Sequence, residues 1–424
     1  MSDLQLTLPD DKASLRSYTL IGTQTPRPKS SPQFNRIAYA AAHVVSDPLK
    51  DTRPWNDPAI DWEATMAFRH HLWGLGFRVA EAMDTSQRGM GLNWAGAQEL
   101  IRRSLAEART VTGADLASGA GTDHLDPAEA KNLEDVVKAY ETQAGFIEKH
   151  GGRFILMASR ALARIAKSPD DYAKVYGRIL AQAREKVVLH WLGDMFDPQL
   201  KAYWGSERFE DALNTVIGII EANRDEVEGI KISLLEERYE LALRNRLPEG
   251  VLCFTGDDFN YAPLIEGDGN RHHSDIEDDT AARIGVLCFT GDDFNYAPLI
   301  EGDGNRHSHA LLGIFDAVAP QASAAMTALA NGDTRRFRAI IEPTVPLSRK
   351  IFEAPTQYYK AGIVFLAWLN GHQTHFTMPA GMQSTRGILH YADIFRLADQ
   401  ANVLDRPDLA TRRMKKLLAI YGIE

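Results

Sequence analysis

The 424-residue chain is poor in cysteine, with only Cys253 and Cys288, and has no long hydrophobic run, no excess of basic charge and no glycine-rich nucleotide signature. Each shortage removes a class of function. The two cysteines occupy equivalent places in two copies of one segment, so they do not make a disulfide framework, and a reducing compartment fits. The longest apolar run, Ala361 to Leu369, falls far short of the roughly 20 residues that cross a bilayer. The opening stretch from Met1 to Asp11 lacks the basic and apolar regions of an export signal. A cytoplasmic protein without membrane contact is therefore expected. Acidic residues outnumber basic ones, 57 to 47, which leaves no electrostatic footprint for nucleic acid. No GxGxxG and no GxxxxGKS/T opens a helix, so the doubly wound nucleotide-binding folds lose ground.

What is present is a repeated alternation of short β-rich runs with longer helical patterns, the mark of parallel strands joined by crossover helices. The strand candidates are Ile37 to Ala42, Arg78 to Met83, Ala114 to Ser118, Phe154 to Ala158, Val187 to Trp191, Gly229 to Ser233, Val251 to Thr255 or its twin Val286 to Thr290, and Ala310 to Phe315. Helical periodicity covers Trp62 to Leu75, Ala95 to Ala108, Ala128 to Lys149, Tyr172 to Glu185, Phe209 to Asn223 and Leu234 to Asn245. Eight strands predict a closed (β/α)8 TIM barrel over residues 34–330. An N-terminal hairpin extension, residues 1–33, pairs Leu4 to Leu8 with Leu15 to Ile21 and is placed to plug the barrel's bottom. A C-terminal helical appendage, residues 331–424, reads as Thr334 to Phe352, Gln357 to Leu369, Gly387 to Gln400 and Arg406 to Tyr421. The stretch Asn370 to Arg386 reads as a surface loop that can also pack over a neighbouring helix.

The string GVLCFTGDDFNYAPLIEGDGNRH stands at Gly250 to His272 and again, letter for letter, at Gly285 to His307, an offset of 35 residues. Structural repeats diverge, so identity of this kind indicates a recent duplication or an error in the sequence. Only one copy can be the seventh strand, and both placements remain open. Either way the surplus enters at the barrel's N-terminal face, away from the C-terminal face where such folds place their chemistry.

Lys231 stands between Ile230 and Ile232, so strand alternation turns it opposite to both isoleucines, into the barrel. Desolvation there disfavours the ammonium and makes the neutral amine a nucleophile toward ketones and aldehydes. A lysine held in an ion pair inside the barrel is the plainer alternative.

The run Gly229-Ile230-Lys231-Ile232-Ser233, then Cys253-Phe254-Thr255-Gly256-Asp257-Asp258 or its copy, then Gly313-Ile314-Phe315-Asp316-Ala317-Val318-Ala319-Pro320, resembles the sixth to eighth strands of the dihydrodipicolinate synthase and N-acetylneuraminate lyase family. The resemblance extends more weakly from Arg36 to Leu404. It implies a class I aldolase barrel: a carbon–carbon or carbon–oxygen lyase acting on a small 2-oxo acid or keto-sugar acid such as pyruvate through a Schiff base on Lys231. It also implies that no cofactor is needed and that the protein is a homo-oligomer. By position, Thr85 and Ser86 match the small-hydroxyl pair that receives the substrate carboxylate, although Asp84-Thr85-Ser86 also reads as a helix cap.

Two departures stand out. Where the family's fourth strand ends in a proton-relaying tyrosine, this chain has Ser159 and Arg160. Where the fifth strand ends Tyr-Asn, it has His190, which titrates near neutrality and is the candidate replacement acid and base. Arg160 is the candidate for holding an anionic substrate group.

A rival reading gathers His43, Glu81, Asp84, His190, Asp194 and Asp316, all at strand ends, as ligands of a divalent metal in a sugar isomerase or lyase. Another, favoured by the missing tyrosine, is a non-catalytic barrel that binds sugar acids. Asp257 and Asp258, or their copies Asp292 and Asp293, read as caps of the next helix rather than as catalysts.

Overall fold

Eight short parallel strands hydrogen-bond side by side until the last meets the first. In the computed structural model, which describes residues 4–12, 14–21, 32–50, 53, 58–267 and 307–423, they are β3 (Ala38–Ala41), β4 (Arg78–Glu81), β5 (Leu116–Ala120), β6 (Arg153–Leu156), β7 (Val187–Leu192), β8 (Val227–Ser233), β9 (Leu252–Thr255) and β10 (His309–Leu312). The first copy of the repeat thus supplies the seventh barrel strand. The rival strand Val286 to Thr290 lies outside the described residues.

Alternation sorts the side chains into two cores. Tyr39, Ala41, Ala80, Ala117, Ile155, Val188, Phe254 and Leu311 face one another inside the barrel. Their neighbours Ala40, Val79, Leu116, Leu156, Leu189, Ile230, Cys253 and Leu312 face outward and pack with the helices. Removing an outward side chain such as Ile230 leaves a cavity that costs about 2–5 kcal/mol. On β8, Ile230 and Ile232 both join the outer core, which turns Lys231 to the inside as alternation requires.

Helix ends follow local chemistry. Asp61 and Asn93 cap Trp62–Gly74 and Trp94–Ala108 through their side chains. The next helix begins at Leu133 rather than Ala128, because Asn132 and Asp135 form a capping box there. The one expected from Tyr172 starts earlier, at Pro169, and ends at Leu180, with proline in the first turn where its missing N–H is harmless. The helix expected over Thr334 to Phe352 divides at Pro343 into Thr334–Ile341 and Thr344–Ile351. The eighth strand stops at Leu312. Residues Ile314–Ala317, expected to belong partly to it, form a short helix, and the Ile314 backbone N–H goes to Asp258 Oδ1 at 3.0 Å.

The hairpin β1 (Gln5–Pro9) and β2 (Leu15–Thr19) forms as expected, but it does not plug the barrel. It lies on the C-terminal helices Ile388–Gln400 and Pro407–Ile420, with the Tyr18 hydroxyl donating to Asp399 Oδ2 at 2.7 Å and Arg396 donating to the Pro9 carbonyl at 2.6 Å. The barrel's N-terminal end is filled by its own residues. Arg153 bridges Glu228 at 2.9 Å and Asp115 at 2.8 Å and donates to the Tyr39 hydroxyl, and Arg78 reaches the same two carboxylates.

Candidate functional site

The C-terminal mouth of the barrel gathers the sequence candidates. Lys231 is only 8% exposed, and with the described residues it forms neither a hydrogen bond nor an ion pair. Burial pulls its ammonium below the ordinary 10.5, against the opposing fields of Asp258 and Asp84. The side chain has room because residue 256 is glycine. A Cβ there would stand 2.6 Å from Lys231 Cε, 2.2 Å from Ser233 Oγ and 2.8 Å from the Ile232 carbonyl oxygen.

His190 lies level with Lys231 on the adjacent strand. It is 1% exposed, its Nε2 is 3.4 Å from Ser233 Oγ, and its Nδ1 has no partner. Burial first, and the Lys231 charge second, hold its titration well below the ordinary 6.5. His190 is therefore neutral at physiological pH, with a ring able to accept or pass a proton.

Thr85 and Ser86 lie in the 3-10 turn Asp84–Ser86, between Ala82 and Gln87, whose φ values of 51° and 63° are left-handed. Such a conformation costs a non-glycine residue of order 1 kcal/mol and persists only when the surroundings enforce it. Here the Ala82 N–H donates to Glu81 at 2.8 Å, while Arg88 donates to the Ala82 carbonyl at 3.1 Å. The turn sends the two hydroxyls in different directions. Ser86 donates back to the Met83 carbonyl at 2.8 Å, whereas Thr85 Oγ1 meets the Tyr359 hydroxyl at 2.8 Å.

Tyr359 comes from the C-terminal region, beyond the barrel, and sequence reasoning missed it, as it missed Lys360. Tyr359 stacks on Phe352 and abuts Phe196, and burial keeps its phenol protonated. Lys360, 1% exposed, donates to Asp84 Oδ2 at 2.9 Å and so ties the C-terminal region to the turn that carries Thr85. The loop from Asn370 to Arg386 packs inward nearby: Gln87 donates to the Pro379 carbonyl at 2.9 Å, and Ser46 donates to the Thr377 carbonyl at 2.9 Å.

The aspartate pair after β9 divides. Asp257 caps, taking the N–H groups of Phe259 and Asn260 at 2.9 and 3.1 Å. Asp258 is 3% exposed, and burial pushes its carboxyl upward while the Lys231 charge pulls it down. In the sequence Asp258, three residues beyond the end of β9, carried only the signal of a helix cap. For Tyr359 no local signal exists.

Arg160 starts the helix Arg160–Ile165 and is paired with Asp197 at 2.5 Å, with its side chain 41% exposed. Ser159 caps that helix, and its backbone N–H donates to the Tyr203 hydroxyl at 3.0 Å.

The metal-ligand set does not converge. Glu81 is taken by the fully buried Arg69 at 2.8 Å, Asp316 by His43 Nδ1 at 2.8 Å and Asp84 by Lys360, while Asp194 is exposed. Among the described residues no three His, Cys, Asp or Glu side chains are grouped to hold a metal ion. Among the same residues, no helix is long and apolar enough to cross a membrane.

A family model described as "Protein of unknown function (DUF993)" matches residues 6–278 and 277–423. No curated protein matches the sequence. Among solved structures, a 4-hydroxy-tetrahydrodipicolinate synthase from Methylacidiphilum fumariolicum SolV is similar with a TM-score of 0.55 at 14% identity, over 90% of this chain and 99% of that one. A putative dihydrodipicolinate synthetase from Pseudomonas aeruginosa gives 0.54 at 12% identity, over 84% and 99%. The chloride-inhibited dihydrodipicolinate synthase from Acinetobacter baumannii, complexed with pyruvate, gives 0.53 at 11%, over 88% and 100%. At these identities the likeness shows the barrel fold that the chain shares with dihydrodipicolinate synthases.

Proposed function

This chain belongs to the DUF993 family of proteins of unknown function, and on that premise we propose that it is a class I aldolase-type lyase in which Lys231 forms an imine with a small 2-oxo acid or keto-sugar acid. The observation that carries this reading is the buried amine of Lys231 at the barrel mouth, without a hydrogen bond or ion pair among the described residues. A desolvated lysine with no partner is a cost to stability, and nucleophilic attack on a carbonyl is the chemistry that such an amine performs. The imine draws electrons from the adjacent bond, so that a carbon–carbon or carbon–oxygen bond next to it breaks or forms through an enamine.

The neighbours fit the remaining tasks. Thr85 and the turn around Ser86 receive the substrate carboxylate. The Tyr359 hydroxyl, joined to Thr85, supplies the phenol that the fourth strand lacks, and neutral His190 moves protons beside the imine. Arg160, at the rim, meets a distal anionic group by exchanging Asp197 for it. No dissociable cofactor enters this scheme. The pyruvate complex of the Acinetobacter baumannii protein on the same fold supports 2-oxo acids as the first substrates to try. A homo-oligomer in the cytoplasm completes the reading, and sedimentation analysis tests the first part of it.

The chemical test is borohydride reduction in the presence of pyruvate and a panel of other 2-oxo acids, followed by peptide mass spectrometry. A substrate-sized adduct on the Lys231 peptide, absent from Lys231→Ala, is the expected result. An adduct on another lysine, or none with any acid, sinks the reading.

A further inference from the structure

Asp258 is an acidic group of the mouth that the scheme above leaves without a task. It follows Gly256 by two residues, and Gly256 is the residue against which Lys231 Cε lies. The Gly256 backbone N–H bonds the Ile232 carbonyl at 2.9 Å, which fixes this turn to the strand that carries the lysine. The Asp258 carboxyl is anchored through Oδ1 on the Ile314 N–H at 3.0 Å, and its backbone carbonyl takes the Ser348 hydroxyl at 2.6 Å. No ion pair joins it to Lys231.

Resting on the imine-forming reading of Lys231, we infer that Asp258, on the turn fixed to the lysine's strand, delivers a proton to the oxygen that leaves as water when the imine forms. The step balances. Lys231 Nζ bonds the carbonyl carbon, and one of its two hydrogens passes to the carbonyl oxygen. The carbon–oxygen bond then breaks, the Asp258 proton completes the water molecule, and the nitrogen keeps its second hydrogen as a protonated imine. Neutral amine and neutral acid become iminium and carboxylate, so the buried site has zero net charge before and after. Without an internal donor the same step would leave one uncompensated positive charge in a desolvated pocket.

Burial pushes both groups toward their neutral forms, each against the other's charge, in agreement with a neutral amine and a protonated acid before the step. The other titratable groups facing the pair stand outside its window or are paired. His190 on β7 is held neutral, Tyr261 and Tyr359 are held protonated, Asp84 is bound to Lys360, and Asp257 is bound to the next helix.

The test is the rate of adduct formation on Lys231 with pyruvate and cyanoborohydride, followed by mass spectrometry from pH 5 to 10, in wild type, Asp258→Asn and Asp258→Glu, with thermal melts to confirm folding. Wild type should give a bell: too many protons silence the amine, and too few remove the donor. Asp258→Asn should lose the alkaline fall and trap about tenfold more slowly at its plateau. Asp258→Glu should keep a bell. A folded Asp258→Asn with the wild-type profile and rate, or a folded Asp258→Glu without an alkaline fall, overturns the inference while leaving the imine intact. A wild type that forms no adduct at any pH overturns the imine-forming reading itself.

Discussion

The two ends of the barrel deal with buried charge in opposite ways. At the N-terminal end, Arg153 and Arg78 share Asp115 and Glu228 over the Tyr39 ring. A cavity of about 440 Å³ opens beside them, lined by Arg109, Glu148 and Arg184 as well as by Asp115 and Arg153, and there too Arg184 and Glu148 approach within 3.8 Å. At the C-terminal end, Lys231, beside Phe254 and His190, has no hydrogen bond or ion pair among the described residues, whereas Lys360 is paired with Asp84. Paired charges at one end hold the barrel shut. The solitary amine at the other gives no stability in return for its burial, and it is there that chemistry is expected.

The sharpest way to break this contrast is Lys231→Ala, which should reduce trapped adduct about a thousandfold or more and leave the thermal midpoint equal or higher, because a desolvated amine is removed. Loss of stability in that variant would mean that Lys231 has a structural partner. Gly256→Ala comes next. Its Cβ meets both Lys231 Cε and the Ile232 carbonyl, so the lysine must move, and adduct formation should fall about a hundredfold with the fold retained by circular dichroism. Tyr359→Phe should slow trapping about tenfold and change stability by only about 1 kcal/mol, since one hydrogen bond to Thr85 is lost.

Arg153→Met tests the closed end. It should cost about 1–2 kcal/mol in urea unfolding, less than a fully buried pair, because Asp115 is 38% exposed and Arg78 remains to serve both carboxylates. Adduct formation should not change. The smallest effect is the pH dependence of stability relative to Lys231→Met. The folded Lys231 value is depressed, so between it and 10.5 the unfolded chain holds a proton that the folded chain lacks. Wild-type stability relative to the variant should therefore rise with pH through that window.

How much of this was legible in the sequence depends on distance along the chain. The barrel was legible because the strands carry a period of two, as at Ile230-Lys231-Ile232, and several helices carry their own caps, as at Asp61 and Asn93. Lys231 could be named for the same reason, since inward parity is a local property, whereas His190 was named from its place at the end of the fifth strand. The fate of Glu81 was not legible: its partner Arg69 sits in the preceding helix and becomes a partner only when that helix docks. Asp258 was read as a cap because Asp-Asp before a helix usually caps, and Asp257 does. Tyr359 and Lys360 lie more than 270 residues after Thr85 and Asp84, and no pattern within either segment announces the meeting. The hairpin was found but misplaced, because its own residues fix its pairing and only the C-terminal helices fix its address.

The Thr85–Tyr359 bond also bears on how this lineage can change. A barrel whose reactive residues all came from its own strand ends could exchange its last helices by recombination and keep its chemistry. In this chain such an exchange would carry away the hydroxyl bonded to Thr85, together with the lysine bonded to Asp84 in the same turn, so on the proposed chemistry head and tail are inherited as a unit.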